Sequence, residues 1–279
     1  MPCGTGGAIG KNASFFVYHL LLQEQHRGED TTKILSFDKR HYEHGGVGKV
    51  NEVFNRENLS KLRGNYAIGQ VRYPTVGVYD DNEQKLRDAP PLWEDYPCFI
   101  SLSHNGDMPQ STYENLRKKL EEDRFYFKTD SDLEIIEKLF SKGLRKSLKE
   151  KKLNNEDIFS AAKFMMERAP AAYAVTGIVT KGNERRLIGF TDPQKIRPLV
   201  FGKNKNLQVL ASETAAIDVL SNYVNEKFET FELQGGEVII AEEGREPVKK
   251  ILIETEPKHC FFEYTYFARP DSRKWSICL

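Results

Sequence analysis

The stretch "CGTGGAIG" at residues 3–10 places a cysteine ahead of a run in which four of seven residues are glycine. A phosphate-binding loop would need its second glycine five positions after the first, followed by Lys-Ser or Lys-Thr. Here Gly10 lies six positions after Gly4, and Lys11 is followed by Asn12. The phosphate-binding loop is therefore excluded, which leaves either a flexible end of the chain or a segment whose role other residues must define.

Length, charge and composition limit the class of protein. The chain has 279 residues, enough for one large domain or two small ones with a substantial core. Lys plus Arg and Asp plus Glu are 41 each, so a net charge of zero gives no electrostatic footprint for nucleic acid or an acidic membrane. No apolar run approaches a membrane span and no signal-peptide pattern precedes Cys3. We predict a cytoplasmic protein that binds neither nucleic acid nor membrane.

The cysteines and histidines form no metal-binding pattern. The four cysteines are scattered and include no CxxC pair: Cys3, Cys98, Cys260 and Cys278. A disulfide scaffold or zinc site is therefore not expected, which agrees with a reducing compartment. The motif "HYEH" at 41–44 has no two further ligands near it in the sequence, so surface histidines are the better interpretation.

Hydrophobic periodicity predicts clustered helices and many short strands. "SFFVYHLLLQEQ" predicts a buried helix capped by Ser14, and Ser111 with Glu114 predicts a capping box that opens another. Amphipathic helices are predicted over 132–140 and 155–169, and a short helix after Glu213. The predicted strands are "TKILSF", "YAIGQVRY" and "CFISLSH", then "AAYAVTGIV", "RLIGFT", "PLVFG", "LQVLAS", "FETFEL", "GEVIIAEE" and "KKILIE". Grouped strands and helices predict a layered α+β fold rather than alternating βαβ units.

Three polar segments follow or end predicted strands: "QVRYPTVG" at 70–77, "SHNGD" at 103–107 and "TDSDLE" at 129–134. Each alone has an ordinary interpretation, because Arg72 could be a surface cation, "NG" a turn and Asp132 a helix N-cap. Together with Cys3 they supply a thiol nucleophile, an amide-plus-glycine pair for an oxyanion, a cation and an anion. Such a set fits a free amino acid, whose carboxylate and ammonium bind the two charges while its side chain points at the thiol.

With these residues in order, the chain resembles the class II glutamine amidotransferases, which are N-terminal-nucleophile hydrolases that begin with Cys-Gly. Within that family it is most similar to the glutaminase domain of amidophosphoribosyltransferase. The motifs that carry the resemblance are "CG" at 3–4, "QHRG" at 25–28, "VRYPT.G" at 71–77, "HNG" at 104–106, "SDLE" at 131–134, "DPQKIRPL" at 192–199, "ASETAAID" at 211–218, "GGEV" at 235–238 and "FEYTYFARPDS" at 262–272.

The resemblance implies a fold, an organisation and an activity. The fold would be an α+β, four-layer αββα sandwich of two mostly antiparallel sheets. Residues 1–258 would form the amidotransferase domain and 259–279 a C-terminal docking or linker segment, with the phosphoribosyltransferase domain absent. The chain would hydrolyse L-glutamine to glutamate and ammonia through a cysteine thioester. It would supply the ammonia to a phosphoribosyltransferase subunit or domain, for phosphoribosylamine synthesis in purine biosynthesis.

The resemblance also assigns roles to individual residues. The catalytic ones are Cys3, Asn105 and Gly106, and the substrate-binding ones are Arg72, Thr75 and Asp132. Cys3 would attack the glutamine side-chain amide, with its own α-amino group as general base. Asn105 and Gly106 would form the oxyanion hole. Arg72 would bind the substrate carboxylate, Asp132 its ammonium, and Thr75 would line the pocket, whereas Arg27 would brace the nucleophile strand as a structural residue.

No cofactor is expected in this chain. Cys260 precedes "FEY", where some family members place one ligand of an iron–sulfur cluster, but cluster-free members also have a cysteine there. A buried free thiol is therefore the better interpretation. The oligomeric state stays open, a homo-oligomer included. Two alternatives also stay open: a catalytically silent module that binds a partner or senses glutamine, and a cysteine amidase acting on another amide.

Several positions depart from the family pattern. Pro2 stands between the initiator Met and Cys3, so the mechanism requires removal of Met1 and Pro2 to free the Cys3 amine. Pro74 and Leu133 stand where the family prefers hydroxyl residues, Asp107 where it prefers Asn, and Lys195 where glycine is usual. "DAPPL" at 88–92 lacks the Gln or His that usually precedes the proline of the loop covering glutamine.

Overall fold

The computed structural model describes residues 3–73, 81–148 and 152–273. It consists of two sheets and their flanking helices. The strands are β1 Gly4–Ile9, β2 Thr31–Phe37, β3 His41–Val47, β4 Tyr66–Arg72, β5 Leu92–Glu94, β6 Phe99–Asp107, β7 Ala172–Lys181, β8 Glu184–Thr191, β9 Val200–Lys203, β10 Gln208–Ala211, β11 Glu229–Glu232, β12 Glu237–Ala241 and β13 Val248–Ile251. The α-helices are α1 Ala13–Gln23, α2 Val50–Val53, α3 Arg56–Lys61, α4 Asn82–Arg87, α5 Gln110–Glu122, α6 Asp132–Leu148, α7 Asn155–Met166 and α8 Thr214–Val224.

The two sheets are antiparallel and lie face to face between layers of helices. The first has the order β11-β9-β10-β1-β4-β2-β3, and the second has the order β13-β12-β8-β7-β6-β5. Helices α1 and α8 cover the outer face of the first sheet, and α6 and α7 cover that of the second. This arrangement confirms the predicted four-layer αββα sandwich.

Three apolar layers hold the four structural layers together. Between the sheets, Ile68 and Phe201 of the first pack with Ile178 and Leu187 of the second. A second apolar layer lies between α1, α8 and the first sheet, and a third lies between α5–α7 and the second sheet. The central strands of each sheet are therefore buried on both faces, which explains why many of them read as nearly continuous apolar runs.

Strand β1 contains the glycine-rich stretch and lies in the interior of the first sheet, between β10 and β4. It is neither a flexible end nor an edge strand. A Cβ built on Gly7 would lie 2.7 Å from Thr176 Cγ2 in the second sheet, and one on Gly4 would lie 2.6 Å from Glu24 Cβ at the end of α1. The glycines are needed because helix and second sheet approach the two faces of β1 too closely for side chains.

The predicted elements are mostly present, but two predicted helix caps are wrong. Helix α1 begins at Ala13 with Asn12 as N-cap, while the Ser14 hydroxyl donates to the Leu62 carbonyl oxygen at 2.8 Å. Helix α5 begins at Gln110 after Pro109, so Ser111 lies inside its first turn. Proline at the cap position has the fixed φ that opens a helix without a side-chain cap. The sequence also missed β1, β3, β5 and the short helices α2–α4.

A buried charged network fastens the C-terminal segment to the domain. Arg27, which is fully buried, donates to Glu213 and, at 2.5 Å, to Glu263. Arg197 donates to the other Glu263 oxygen at 3.2 Å. Removal of one partner from such a network would leave a buried charge unpaired, which is strongly destabilising. These contacts therefore fix residue 263 onto the domain.

No helix of the described residues is long and apolar enough to cross a membrane.

Because the second sheet packs so closely on β1, we predict that alanine substitutions at two of its glycines differ in their effect on stability. Gly7→Ala should lower the free energy of unfolding by about 1–3 kcal/mol, because the new methyl group overpacks the layer between the sheets. Gly6→Ala on the same strand is the matched control: its Cβ would lie 3.3 Å from the nearest atom, on Leu20. Urea denaturation measures both, and a Gly7 variant as stable as the Gly6 variant would contradict the packing argument.

Candidate active site

Cys3 lies immediately before β1 and faces the second sheet. Gly4 pairs with Val71, so the preceding residue lies beside Arg72 of β4. The backbone N–H of Cys3 donates to Asn105 Oδ1 at 3.1 Å, which joins the nucleophile segment to β6. Burial raises the pKa of the Cys3 thiol, although a hydrogen bond with the Tyr73 backbone and the charge of Arg72 act in the opposite direction. The thiol is therefore protonated at neutral pH and needs a base to become a nucleophile.

The backbone N–H of Gly106 faces away from the neighbouring strand β7. On β6, His104 N–H donates to Gln70 Oε1 at 2.9 Å, and Met108 N–H donates to Asp132 Oδ2 at 3.1 Å. Because alternate N–H groups of an antiparallel strand point to the same side, the Gly106 N–H points between these two. Strand β5 pairs with β6 only as far as Leu102, so it does not cover this position.

The side chain of Asn105 supplies a second donor at the same place. Asn105 is fully buried, and its Oδ1 is occupied by the Cys3 N–H. Its Nδ2 has no hydrogen-bond partner within the described part of the chain. A buried amide donor without a partner is costly and calls for an explanation. An oxyanion between Asn105 Nδ2 and Gly106 N–H would satisfy both donors.

Arg72 is a buried cation with a hydrogen-bond donor left free among the described residues. It is 7% exposed, makes no ion pair with any carboxylate among the described residues, and its Nη1 has no described partner. Its backbone packs directly on Gly28, where a Cβ would lie 2.5 Å from the Arg72 carbonyl carbon. A buried guanidinium of this kind favours an incoming carboxylate, which it can bind with two parallel hydrogen bonds.

Asp132 is the anion opposite Arg72 and begins helix α6. Its Oδ2 accepts the Met108 N–H, and its Oδ1 lies 3.3 Å from His104 Nε2. Burial alone would raise the pKa of Asp132, but His104, Arg72 and the Met108 N–H outweigh burial and lower it. Asp132 is therefore ionised at neutral pH and can accept an ammonium group.

The structure brings together five of the six residues assigned from the sequence: Cys3, Arg72, Asn105, Gly106 and Asp132. The sixth, Thr75, lies outside the described residues. The sequence analysis assigned no role to Gln70 or His104, which hold the strand and the carboxylate in place. A polar Gln70 within an otherwise apolar buried strand was the available signal. The described residues contain no cluster of three or more His, Cys, Asp or Glu placed to hold a metal ion.

Several departures from the family pattern have a structural explanation. Lys195 has a φ of 52°, the left-handed conformation that normally favours glycine, and its Nζ lies 3.4 Å from Glu232 Oε1. Leu133 is fully buried, so it contributes to the core. Asp107 is exposed at the end of β6. Cys260 is half-buried, which corrects the prediction of a buried thiol.

Comparison with known proteins identifies the family. No protein-family model matches the chain. Amidophosphoribosyltransferase of Archaeoglobus fulgidus is 34% identical over 275 residues, covering 97% of this chain and 55% of the relative. The Escherichia coli enzyme of the same name is 34% identical over 278 residues, covering 96% and 52%. The structure of glutamine phosphoribosylpyrophosphate amidotransferase from B. subtilis, complexed with ADP and GMP, has a TM-score of 0.77 at 28% identity and covers 97% of this chain and 54% of that one.

The chain belongs to the class II glutamine amidotransferases. Within that family it is similar to amidophosphoribosyltransferases, in agreement with the resemblance found in the sequence. The chain spans about half the length of the curated relatives it matches.

The buried thiol gives a pH-dependent prediction. Iodoacetamide should modify Cys3 slowly near pH 7 and progressively faster above about pH 9, since the thiolate reacts and burial raises the thiol pKa above its ordinary value. Arg72→Met should slow the reaction at each pH, because the Arg72 charge lowers that pKa.

Peptide mapping by mass spectrometry would follow each cysteine separately. Arg63→Met, at an exposed position at the other end of β4, is the matched control and should leave the rate unchanged. A Cys3 rate that is constant from about pH 7 to 9.5 would contradict a protonated resting thiol.

Proposed function

We propose that this chain hydrolyses L-glutamine to glutamate and ammonia at Cys3, and that the ammonia passes to a phosphoribosyltransferase domain or subunit for phosphoribosylamine synthesis. The observation that carries the proposal is the set of unsatisfied groups around Cys3. Within the described residues, Arg72 Nη1 and Asn105 Nδ2 both lack a hydrogen-bond acceptor. The α-carboxylate of glutamine and the oxyanion of its reacting amide would satisfy these two groups.

Binding orients the substrate through its amino acid end. Arg72 binds the carboxylate, and Asp132, ionised at neutral pH, binds the ammonium. These two charges leave the side-chain amide directed at the Cys3 thiol. Hydrolysis of an unrelated amide would not use either charge, which disfavours the cysteine amidase alternative.

The chemistry proceeds in two steps on the same residues. The Cys3 sulfur attacks the amide carbon, its proton passes to the free α-amine, and Asn105 Nδ2 with Gly106 N–H stabilises the oxyanion. The C–N bond then breaks as the α-amine returns the proton to the leaving ammonia. Water attacks the resulting thioester and releases glutamate. The contact from Cys3 N to Asn105 Oδ1 would hold the α-amine in position. The proposed reaction needs no cofactor.

Exposed aromatic rings near residue 263 suit a docked partner domain. Phe261, Phe262 and Tyr266 are 73%, 62% and 79% exposed, and the buried Glu263 beside them anchors the segment. An apolar surface of this kind usually marks an interface. Since the relatives are about twice as long as this chain, we assign the surface to a phosphoribosyltransferase domain.

Arg72 and Asp132 provide the direct test of the glutamine pocket. Arg72→Ala should raise the KM for glutamine by about 10–100-fold, because a charge-assisted hydrogen bond is lost. Asp132→Asn should also raise it, whereas Asn105→Ala should lower kcat by about 100–1,000-fold. Lys61→Ala, far from the pocket, is the control. Wild-type kcat/KM in both the Arg72 and Asp132 variants would refute the pocket assignment.

Maturation of the N-terminus decides whether Cys3 is active. An amide nitrogen cannot act as a base, so activity should require removal of Met1 and Pro2. We expect the intact mass of the active protein to match a chain beginning at Cys3. A variant with a protease site that exposes Cys3 should gain activity on cleavage. Full activity in a chain that still begins at Met1 or Pro2 would overturn the base mechanism, and an inactive chain after cleavage would favour a silent binding module.

The docking surface can be tested with a separately expressed phosphoribosyltransferase domain from an amidophosphoribosyltransferase. We expect this domain to bind the chain and to stimulate its glutaminase activity. Replacement of Phe262 and Tyr266 by serine should weaken binding by about tenfold or more, because aromatic anchors dominate such interfaces. Tyr126→Ser, at a residue 86% exposed in another region, is the control. Equal binding by wild type, the Phe262 and Tyr266 double variant and Tyr126→Ser would exclude this surface as the docking site.

A further inference from the structure

Glu24 is a buried carboxyl group directly behind the nucleophile strand. It is fully buried at the C-terminal end of α1. A Cβ built on Gly4, the residue after Cys3, would lie 2.8 Å from Glu24 Oε2. Cys3 faces the second sheet, whereas Gly4 faces Glu24, so the carboxyl lies on the opposite face of β1 from the substrate. The mechanism proposed above does not use this group.

One carboxyl oxygen of Glu24 holds the chain where β10 leaves the sheet. Its Oε1 accepts the N–H groups of Ser212, at 2.6 Å, and Glu213, at 3.3 Å. The Ser212 hydroxyl in turn accepts the Thr5 N–H at 3.0 Å. The Thr5 hydroxyl lies 2.7 Å from the Ser103 hydroxyl on β6. A continuous hydrogen-bonded chain therefore runs from Glu24, past the nucleophile segment, to the strand that carries Asn105 and Gly106.

The other oxygen of Glu24 indicates the charge state of the group. Oε2 is buried and has no hydrogen-bond partner in the part of the chain that the structure describes. A buried carboxylate with one unsolvated oxygen is strongly disfavoured, so the neutral acid is the form that fits this site. Consistently, burial raises the pKa of Glu24 to about 8, even though Arg27 lowers it.

The charged groups around Glu24 offset only part of the cost of its ionisation. On the neighbouring turn, Arg27 is already paired with Glu213 and Glu263. His26 pairs with the same Glu213, whose negative charge faces Glu24 and raises its pKa. Strand β1 itself carries no titratable residue, and Cys3 lies immediately before it. A second negative charge at Glu24 would therefore be repelled by Glu213 and would lie beside the start of β1.

We propose that Glu24 is a positioning residue that aligns the nucleophile segment with the oxyanion donors in its neutral form, and that its ionisation disrupts this alignment. The inference deepens the proposed glutaminase function and rests on it for the catalytic readout. Glu24 binds no substrate and acts through Ser212 and Thr5.

The sign of the effect on stability follows from linkage. A carboxyl group whose pKa is higher in the folded state ionises more readily in the unfolded state. Raising the pH through this range therefore lowers the free energy of unfolding. The contribution of Glu24 to stability should therefore fall as the pH rises from about 4.5 to about 8, then stay constant. Glu24→Gln keeps the Oε1 acceptor but cannot ionise, so it should lack this loss.

The test compares wild type, Glu24→Gln, Glu24→Ala and the exposed control Glu57→Gln. For unfolding, the urea midpoint of Glu24→Gln relative to wild type should increase between about pH 5.5 and 8.5.

For catalysis, kcat/KM of wild type should fall above about pH 8. Glu24→Gln should not show this fall at high pH and should keep its activity at lower pH. Glu24→Ala should lower kcat by about tenfold with little change in KM, since alignment is lost. Glu57→Gln should follow wild type throughout.

The rate of Cys3 alkylation tests the inference even if neither wild type nor any of the variants hydrolyses glutamine. In that case the proposed function fails, but Glu24→Ala should still change the Cys3 alkylation rate by about threefold or more relative to wild type and Glu57→Gln. Parallel pH profiles of stability in wild type and Glu24→Gln would show that Glu24 does not titrate. An unchanged kcat and an unchanged alkylation rate in Glu24→Ala would show that it does not position Cys3. Either result would overturn the inference.

Discussion

The close approach of two layers to strand β1 is the constraint on which the rest of the structure depends. The strand lies in the interior of its sheet, with α1 against one face and the second sheet against the other. Glycine at positions 4 and 7 removes the side chains that would hold these layers apart. This approach brings Cys3 within hydrogen-bond distance of Asn105, which belongs to the other sheet. The candidate active site is therefore a product of sheet-on-sheet packing, not of one loop.

The charged residues of the site add electrostatic interactions to the arrangement that packing produces. Arg72 ends strand β4 and Asp132 begins helix α6, yet the charge of Arg72 lowers the pKa of Asp132 and of the Cys3 thiol. Both charges are held by backbone contacts: Arg72 rests on Gly28, and Asp132 accepts the Met108 N–H. Backbone contacts of this kind fix the positions of both charges before any ligand binds, as in preorganised sites.

The sequence predicted the parts of the molecule that local patterns encode. Long periodic segments identified α6, α7 and most strands, and ordered motifs identified five residues that meet at the site. The predictions failed for short or atypical segments. Strand β1 has too many glycines to be recognised as a strand, and α5 begins after Pro109 without the expected capping residue. Gln70, His104 and Glu24 could not be assigned from the sequence, because their roles depend on partners between 28 and 189 residues away or on unsatisfied atoms. Long-range packing of this kind leaves no local pattern.

The ion pair between Arg27 and Glu263 has a consequence for how the protein is made. The two residues are 236 positions apart, and the β10 partner of β1 is formed by residues 208–211. A chain emerging from the ribosome exposes Arg27 and the glycine-rich strand early, but Glu263 and the β10 partner of β1 are translated much later. Neither the Arg27 charge nor the β10 edge of β1 can be paired until these later residues have left the exit tunnel. The buried network around Arg27 is therefore completed only in a chain that has been translated through residue 263.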